Sequence, residues 1–270
     1  MDVLTIVLLI GLGLLIGCIG TLIGAGGGFI LVPILLFVYP DLKPDVVTSI
    51  SLGVVFLNAF SGSIAYARMK RIDYKSGFIF AAATLPGSII GAYTTGYLAK
   101  GLFDTILGIL LIVIAIYLII RPNQRTTNGL LTGNNLTSRT ITDHKGKEYS
   151  YSFKLWVGIV ISFFVGFLSS LLGIGGGIIH VPALTTLLNF PLHIATATSH
   201  FILAVMALGG TIVHIIQGNF KGEWLRTISI GAGIIVGAQV GAYFSNKLKD
   251  KLIIRILAFA LLAVGVRLLL

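Results

Sequence analysis

Two strings of glycine and proline stand where the surrounding residues are almost all apolar. They are Gly24-Ala25-Gly26-Gly27-Gly28-Phe29-Ile30-Leu31-Val32-Pro33 and, 149 residues later, Gly173-Ile174-Gly175-Gly176-Gly177-Ile178-Ile179-His180-Val181-Pro182. A glycine inside a helix costs about 1 kcal/mol relative to alanine, so clusters of four predict a break in the helix. A break creates a new helix N-terminus, whose first N–H groups have no partner within the helix and whose dipole end is positive. With no Cβ in the way, a ligand can approach those N–H groups closely. The chemistry this predicts is capture of a small anion by backbone donors, without a formal positive charge. Gly24, Gly26, Gly27 and Gly28 in the first string, and Gly173, Gly175, Gly176 and Gly177 in the second, are the candidate donors. A phosphate-binding P-loop does not fit, because neither string is followed by Lys and Ser/Thr.

Polar side chains within the apolar segments complete the candidate site: Thr48, Ser49, Asn58, Thr198, Ser199, His180 and His200. Thr and Ser hydroxyls could donate to an anion at a helix start, although the same residues also cap helices for structural reasons alone. His180 stands where the first string has Leu31, and His200 follows Thr198-Ser199 where the first half has Ile50. A histidine near neutrality could donate to an anion or carry a coupled proton. All nine acidic residues fall at segment ends or in loops, whereas cation pumps and proton relays use carboxylates within the membrane. An anion is therefore favoured over a cation. The alternatives are a transition-metal transporter using His180, His200 and His214 as ligands, and a non-transporting membrane partner for assembly or sensing. No Ser/His/Asp set or HExxH motif points to an enzyme, and no cofactor is implied.

The elements that must position these residues follow from the composition. Of 270 residues, 56% are hydrophobic and 10% charged, with a mean hydropathy of +1.01. Soluble domains carry about 25% charged residues, so this chain belongs in a lipid bilayer, as an all-α polytopic membrane protein. The net charge of +10 sits in loops between apolar segments, which marks membrane topology, and no basic stripe with interleaved aromatics points to nucleic acid. The lone Cys18 excludes an intrachain disulfide. Met1-Asp2-Val3 lacks a basic n-region, so no cleaved signal peptide is expected.

The polar stretch 121–154 reads as a hydrophilic linker, separating a first transmembrane repeat (1–120) from a second (155–270). Beyond the glycine strings, Thr48-Ser49 matches Thr198-Ser199, and Gly91-Ala92-Tyr93 matches Gly241-Ala242-Tyr243, in the same order and at offsets of 149 or 150. This predicts an internal duplication. Inverted halves would place 14 basic residues inside and 5 outside, against 13 and 6 for eight simple crossings, which slightly favours inversion. Segment length agrees. Residues 3–39 and 155–189 are each too long for one crossing, since 37 helical residues reach about 55 Å, and too short for two. A helix broken at the glycines, with a short re-entrant second part, resolves this and leaves an odd number of full crossings in each half. Gly87-x3-Gly91 and Gly237-x3-Gly241 read instead as helix-packing motifs.

At these residues the sequence resembles the sulfite exporter TauE/SafE family of bacterial and archaeal membrane proteins. The resemblance rests on "GAGGGFILVP" and "GIGGGIIHVP", on Thr48-Ser49 and "HIATATSHF" (193–201), and on "GSIIGAY" and "GAQVGAY", and it covers nearly the whole chain outside the linker. It implies a permease of the cytoplasmic membrane for a small sulfur-containing anion such as sulfite, sulfoacetate or a related sulfonate. The partners expected are that anion and the lipid bilayer. The oligomeric state is left open, a homodimer included.

Overall fold

A computed structural model describes residues 2–120, 136–245 and 251–270. They form ten helices and one β-hairpin: α1 (Val3–Ile23), α2 (Gly28–Val38), α3 (Pro44–Arg68), α4 (Tyr74–Thr95), α5 (Lys100–Ile120), β1 (Thr137–Thr142), β2 (Glu148–Phe153), α6 (Leu155–Leu172), α7 (Gly177–Thr186), α8 (Leu192–Ile216), α9 (Trp224–Phe244) and α10 (Lys251–Leu269). Among the described residues, seven helices (α1, α3, α4, α5, α6, α8 and α9) are long and apolar enough to cross a membrane. Large apolar side chains such as Leu4, Phe78, Ile109, Phe164 and Ile228 point outward, while glycines and small polar residues lie inside. Lipid is as apolar as leucine, so close backbone packing, with no help from the hydrophobic effect, brings these helices together.

Both overlong segments are broken at their glycines. Gly24 ends α1 in the left-handed region (φ 86°), and Gly26 and Gly27 follow there before α2 begins; Gly173 and Gly175 do the same between α6 and α7. An L-residue other than glycine is strained at such φ values, so the strings fix the break points. The helices after each break are short, with 11 and 10 residues. α7 doubles back on α6: Gly176 lies against Ser169 and Val165, and Gly158, near the start of α6, lies against Leu188 beyond the end of α7.

The helix pairs repeat when the two halves are exchanged. α1 packs on α9 and α6 on α4; α3 packs on α8 and α5 on α10. The α1–α9 and α4–α6 seams are glycine contacts. Gly237 lies against the Leu14 carbonyl and Gly241 against that of Cys18, while Gly87 and Gly91 lie against the carbonyls of Phe163 and Phe167. These motifs pack helices, as their spacing predicts, and the rising residue numbers on both sides make each pair parallel. α3 and α8 instead run antiparallel, because Gly62 lies against His200 and Gly210 against Leu52.

That reciprocity gives a register of 148 between α3 and α8. Gly173 resting on Thr48, and Gly24 on Thr196, repeat it. Thr48 therefore corresponds to Thr196 and Ser51 to Ser199, two residues away from the match of Thr48-Ser49 with Thr198-Ser199. Likewise, His200 corresponds to Leu52 and not to Ile50.

The segment expected as a plain linker holds more than polar chain. Residues 121–135 lie outside the described residues, but β1 and β2 form an antiparallel hairpin in which Thr137 pairs with Phe153 and Thr142 with Glu148. Tyr149, Tyr151 and Phe153 alternate with Ser150 and Ser152, and this two-residue period buries their rings on Phe80, Leu184, Leu188 and Phe190.

Candidate functional site

The two glycine turns meet. Gly28 faces the Gly173 carbonyl and Ile174, and Gly177 faces the Gly24 carbonyl and Ala25. A Cβ at Gly28 would come within 2.5 Å of the Gly173 oxygen, and one at Gly177 within 2.1 Å of the Gly24 oxygen. The crossing lies level with Val55 and Leu203: Gly26 touches both and Gly175 touches Val55. Each is the twelfth residue of its 25-residue helix, so the turns sit halfway along α3 and α8. Gly24 to Gly28 and Gly173 to Gly177 are all buried.

This places the N-termini of α2 and α7 side by side inside the molecule. Ile30 and Leu31 donate to the Gly27 carbonyl, and Ile179 and His180 to that of Gly176. Among the described residues, no acceptor pairs with the N–H groups of Gly27, Gly28 and Phe29, nor with those of Gly176, Gly177 and Ile178. Beside Gly27 lies Asn58. Its Oδ1 accepts from Thr21 Oγ1 at 2.7 Å, and its Nδ2 is buried with no partner. Beside Gly176 lies Ser169, whose Oγ is also buried and unpartnered. Ser51 Oγ donates to the Gly173 carbonyl at 2.5 Å and fixes the end of α6.

The other residues singled out in the sequence have different surroundings. Thr48 donates to Pro44 O at 2.7 Å and Ser49 to Val46 O at 2.8 Å, so their hydroxyls satisfy carbonyls of their own helix. Thr198 Oγ1 accepts from the Asp73 N–H at 3.0 Å. Ser199 Oγ is buried without a partner. His200 is fully buried on α8, edge-on to Tyr66 with ring centroids 5.4 Å apart, and its Nε2 is unpartnered. His180 is turned toward α6, with Nε2 3.2 Å from Ser162 Oγ and its ring beside Phe80.

This geometry does not favour the histidine–metal alternative. His200 and His214 are 14 residues apart on one helix, about 21 Å along its axis, and His214 Nδ1 is engaged by Asn219 at 2.9 Å. Among the described residues no group of three His, Cys, Asp or Glu side chains could hold a metal ion.

The sequence reading missed Ser169 and Thr21. Both belong to polar positions one turn ahead of a glycine string (Thr21 before Gly24, Ser169-Ser170 before Gly173), and that shared placement was the available signal.

The chain is 37% identical over 271 residues to the probable membrane transporter protein YunE of Bacillus subtilis (strain 168), which covers 98% of this chain and 97% of that protein. It is 29% identical over 254 residues to a probable membrane transporter protein of Methanocaldococcus jannaschii, covering 91% of this chain and 85% of that one. No solved structure matches it. The family model described as sulfite exporter TauE/SafE matches residues 9–268, including both glycine turns and every helix that pairs across the halves, and the chain belongs to this family of membrane transporters.

Proposed function

We infer that the protein moves a small sulfur-containing anion, sulfite or a sulfonate such as sulfoacetate, across the cytoplasmic membrane, binding it between the N-termini of α2 and α7. The observation that carries this reading is the meeting of the two glycine turns halfway along α3 and α8. There, two positive helix ends converge with Asn58 Nδ2 beside one and Ser169 Oγ beside the other. Such ends recognise an oxyanion through its oxygen acceptors, and the described acidic residues lie at helix ends, in loops or in the hairpin, away from the crossing.

In this conformation the turns touch and are buried, so an anion enters only when one half moves against the other. The halves are inverted repeats in this reading, supported by the opposite directions of α3 and α8. The end carrying the hairpin and the α3–α4 turn, with Arg68, Lys70, Arg71 and Lys75, then faces the cytoplasm.

The test is charge movement in proteoliposomes on a solid-supported membrane, with pulses of sulfite, sulfoacetate, sulfate, chloride and Zn²⁺. Currents are expected for a sulfur oxyanion or sulfonate and none for zinc. A response to zinc alone, or neither current nor tracer flux with any anion, would overturn the reading.

A further inference from the structure

Away from the glycine crossing, a cluster of charged and hydroxyl groups lies at the end that carries the hairpin. Asp143, in the hairpin's turn, pairs with Arg71 at 3.5 Å, and both side chains are buried. His144 N–H donates to the Met69 carbonyl at 3.1 Å. Asp73 caps α4 by accepting from the Ser76 N–H; it also accepts from Tyr151 Oη at 2.8 Å and lies 3.7 Å from Arg139. The hairpin thus holds the α3–α4 turn of the first half at four points.

It holds the second half as well. The rings of Tyr151 and Phe153 rest on Phe190, in the α7–α8 turn, with centroids 4.4 and 5.0 Å away. Asn189 Nδ2 donates to the Ser152 carbonyl at 3.4 Å. The opposite end of the molecule has no hairpin among the described residues and is joined directly: the Arg226 guanidinium lies over the Tyr39 ring, that of Arg267 over the Phe37 ring, and Ser49 Oγ reaches the Asn219 carbonyl at 3.4 Å. An arrangement whose helix pairs repeat on exchange of the halves therefore carries a two-sided tie at one end.

We propose that the 137–153 hairpin is a strap that keeps the transporter closed at this end, and that it must release one half before the crossing can open toward that side. The proposal rests on the transport reading above. All of these contacts are non-covalent, so they break and re-form with each opening and closing.

Two engineered disulfides in a Cys18→Ser background test it. Met69→Cys with His144→Cys ties the strap to the first half, and Ser152→Cys with Asn189→Cys ties it to the second. Either link alone leaves the strap free of one half, so transport should stay within about twofold of the reduced protein. Both links together should lower transport by roughly tenfold or more, with recovery on reduction. Undiminished transport with both links formed would overturn the strap. Absence of transport in the reduced background counts against the transport reading instead. Hydrogen–deuterium exchange then decides the strap without transport: Asp143→Asn should speed exchange in the turns at 69–73 and 187–191 and leave the turn at 96–99 unchanged. Unchanged exchange in both turns, or a uniform rise across α3 and α4, overturns it.

Discussion

Ser169 and Asn58 separate binding from folding at the level of single atoms. Ser169 Oγ makes no bond within the described protein, so Ser169→Ala removes no internal hydrogen bond. Its thermal stability should be unchanged, while the anion concentration for half-maximal current rises about tenfold, the loss of about 1.4 kcal/mol of binding. An unchanged half-saturation would remove Ser169 from the site. Asn58→Ala differs, because it also strips Thr21 Oγ1 of its acceptor. It should lose about 1–3 kcal/mol of stability as well as affinity. Asp143 has a pH signature. Burial alone would raise its pKa, but the amides of Lys147 and Lys145 and the Arg71 guanidinium hold it below the usual aspartate range. Tyr149, on the hairpin, and His193, at the start of α8, face the same carboxylate. A lowered folded-state pKa adds stability above about pH 4 and loses it as the pH falls through the depressed value. Asp143→Asn should therefore lower the melting temperature at pH 7 and pH 5 and make little difference near pH 2, as thermal scans in detergent would show.

The elements are set by where glycine is required and where it is only tolerated. A Cβ on Gly177 would stand 2.1 Å from the Gly24 oxygen, inside backbone that cannot shift without parting the two turns. Gly177→Ala should cost about 1–3 kcal/mol as overpacking, read from thermal melting of the purified protein. Gly11, on the exposed face of the same α1 that ends at Gly24, has nothing within 4 Å of an added Cβ. Gly11→Ala should be neutral or stabilising by up to about 1 kcal/mol, since alanine is the better helix former. Equal losses in the two variants would mean that the crossing is not tightly packed. Elsewhere the glycine spacing foretold that α4 and α9 pack closely, because close helix approach in lipid needs small residues at regular intervals, while their partners α6 and α1 emerged only in the fold. The hairpin was harder to read. Its apolar period of two runs through only Tyr149, Tyr151 and Phe153, and their burial depends on Phe190, far along the chain.

Across the whole molecule, the paired helices fix which loops share an end. The hairpin contacts both the α3–α4 turn and the α7–α8 turn, while Tyr39 and Arg226 meet at the other end. With the basic α3–α4 turn inside, a cysteine at Lys145 in a Cys18→Ser background should resist a membrane-impermeant maleimide in intact cells and react once the cells are opened. A cysteine at Lys221 should react in intact cells. Equal labelling of both in intact cells would refute inverted halves. Exposed Trp156 and Trp224, at the starts of α6 and α9, are suited to mark the two interfaces, where indoles prefer to sit.

Composition determined that this is a membrane protein, because so few charges cannot clothe a water-soluble surface, and the long apolar runs determined that it is all-α. The two glycine strings determined where helices break, because left-handed backbone at Gly24, Gly26, Gly27, Gly173 and Gly175 disfavours other residues. Only the tertiary structure decided that the two breaks touch, that Ser169 and Asn58 flank them while Thr48 and Ser49 bond within their own helix, and that His180 turns toward Ser162. It also decided the register of α3 on α8, two residues from the motif match. The reason is that Thr and Ser recur closely in both helices, so local likeness permits more than one alignment, whereas the reciprocal contacts of Gly62 with His200 and Gly210 with Leu52 permit one.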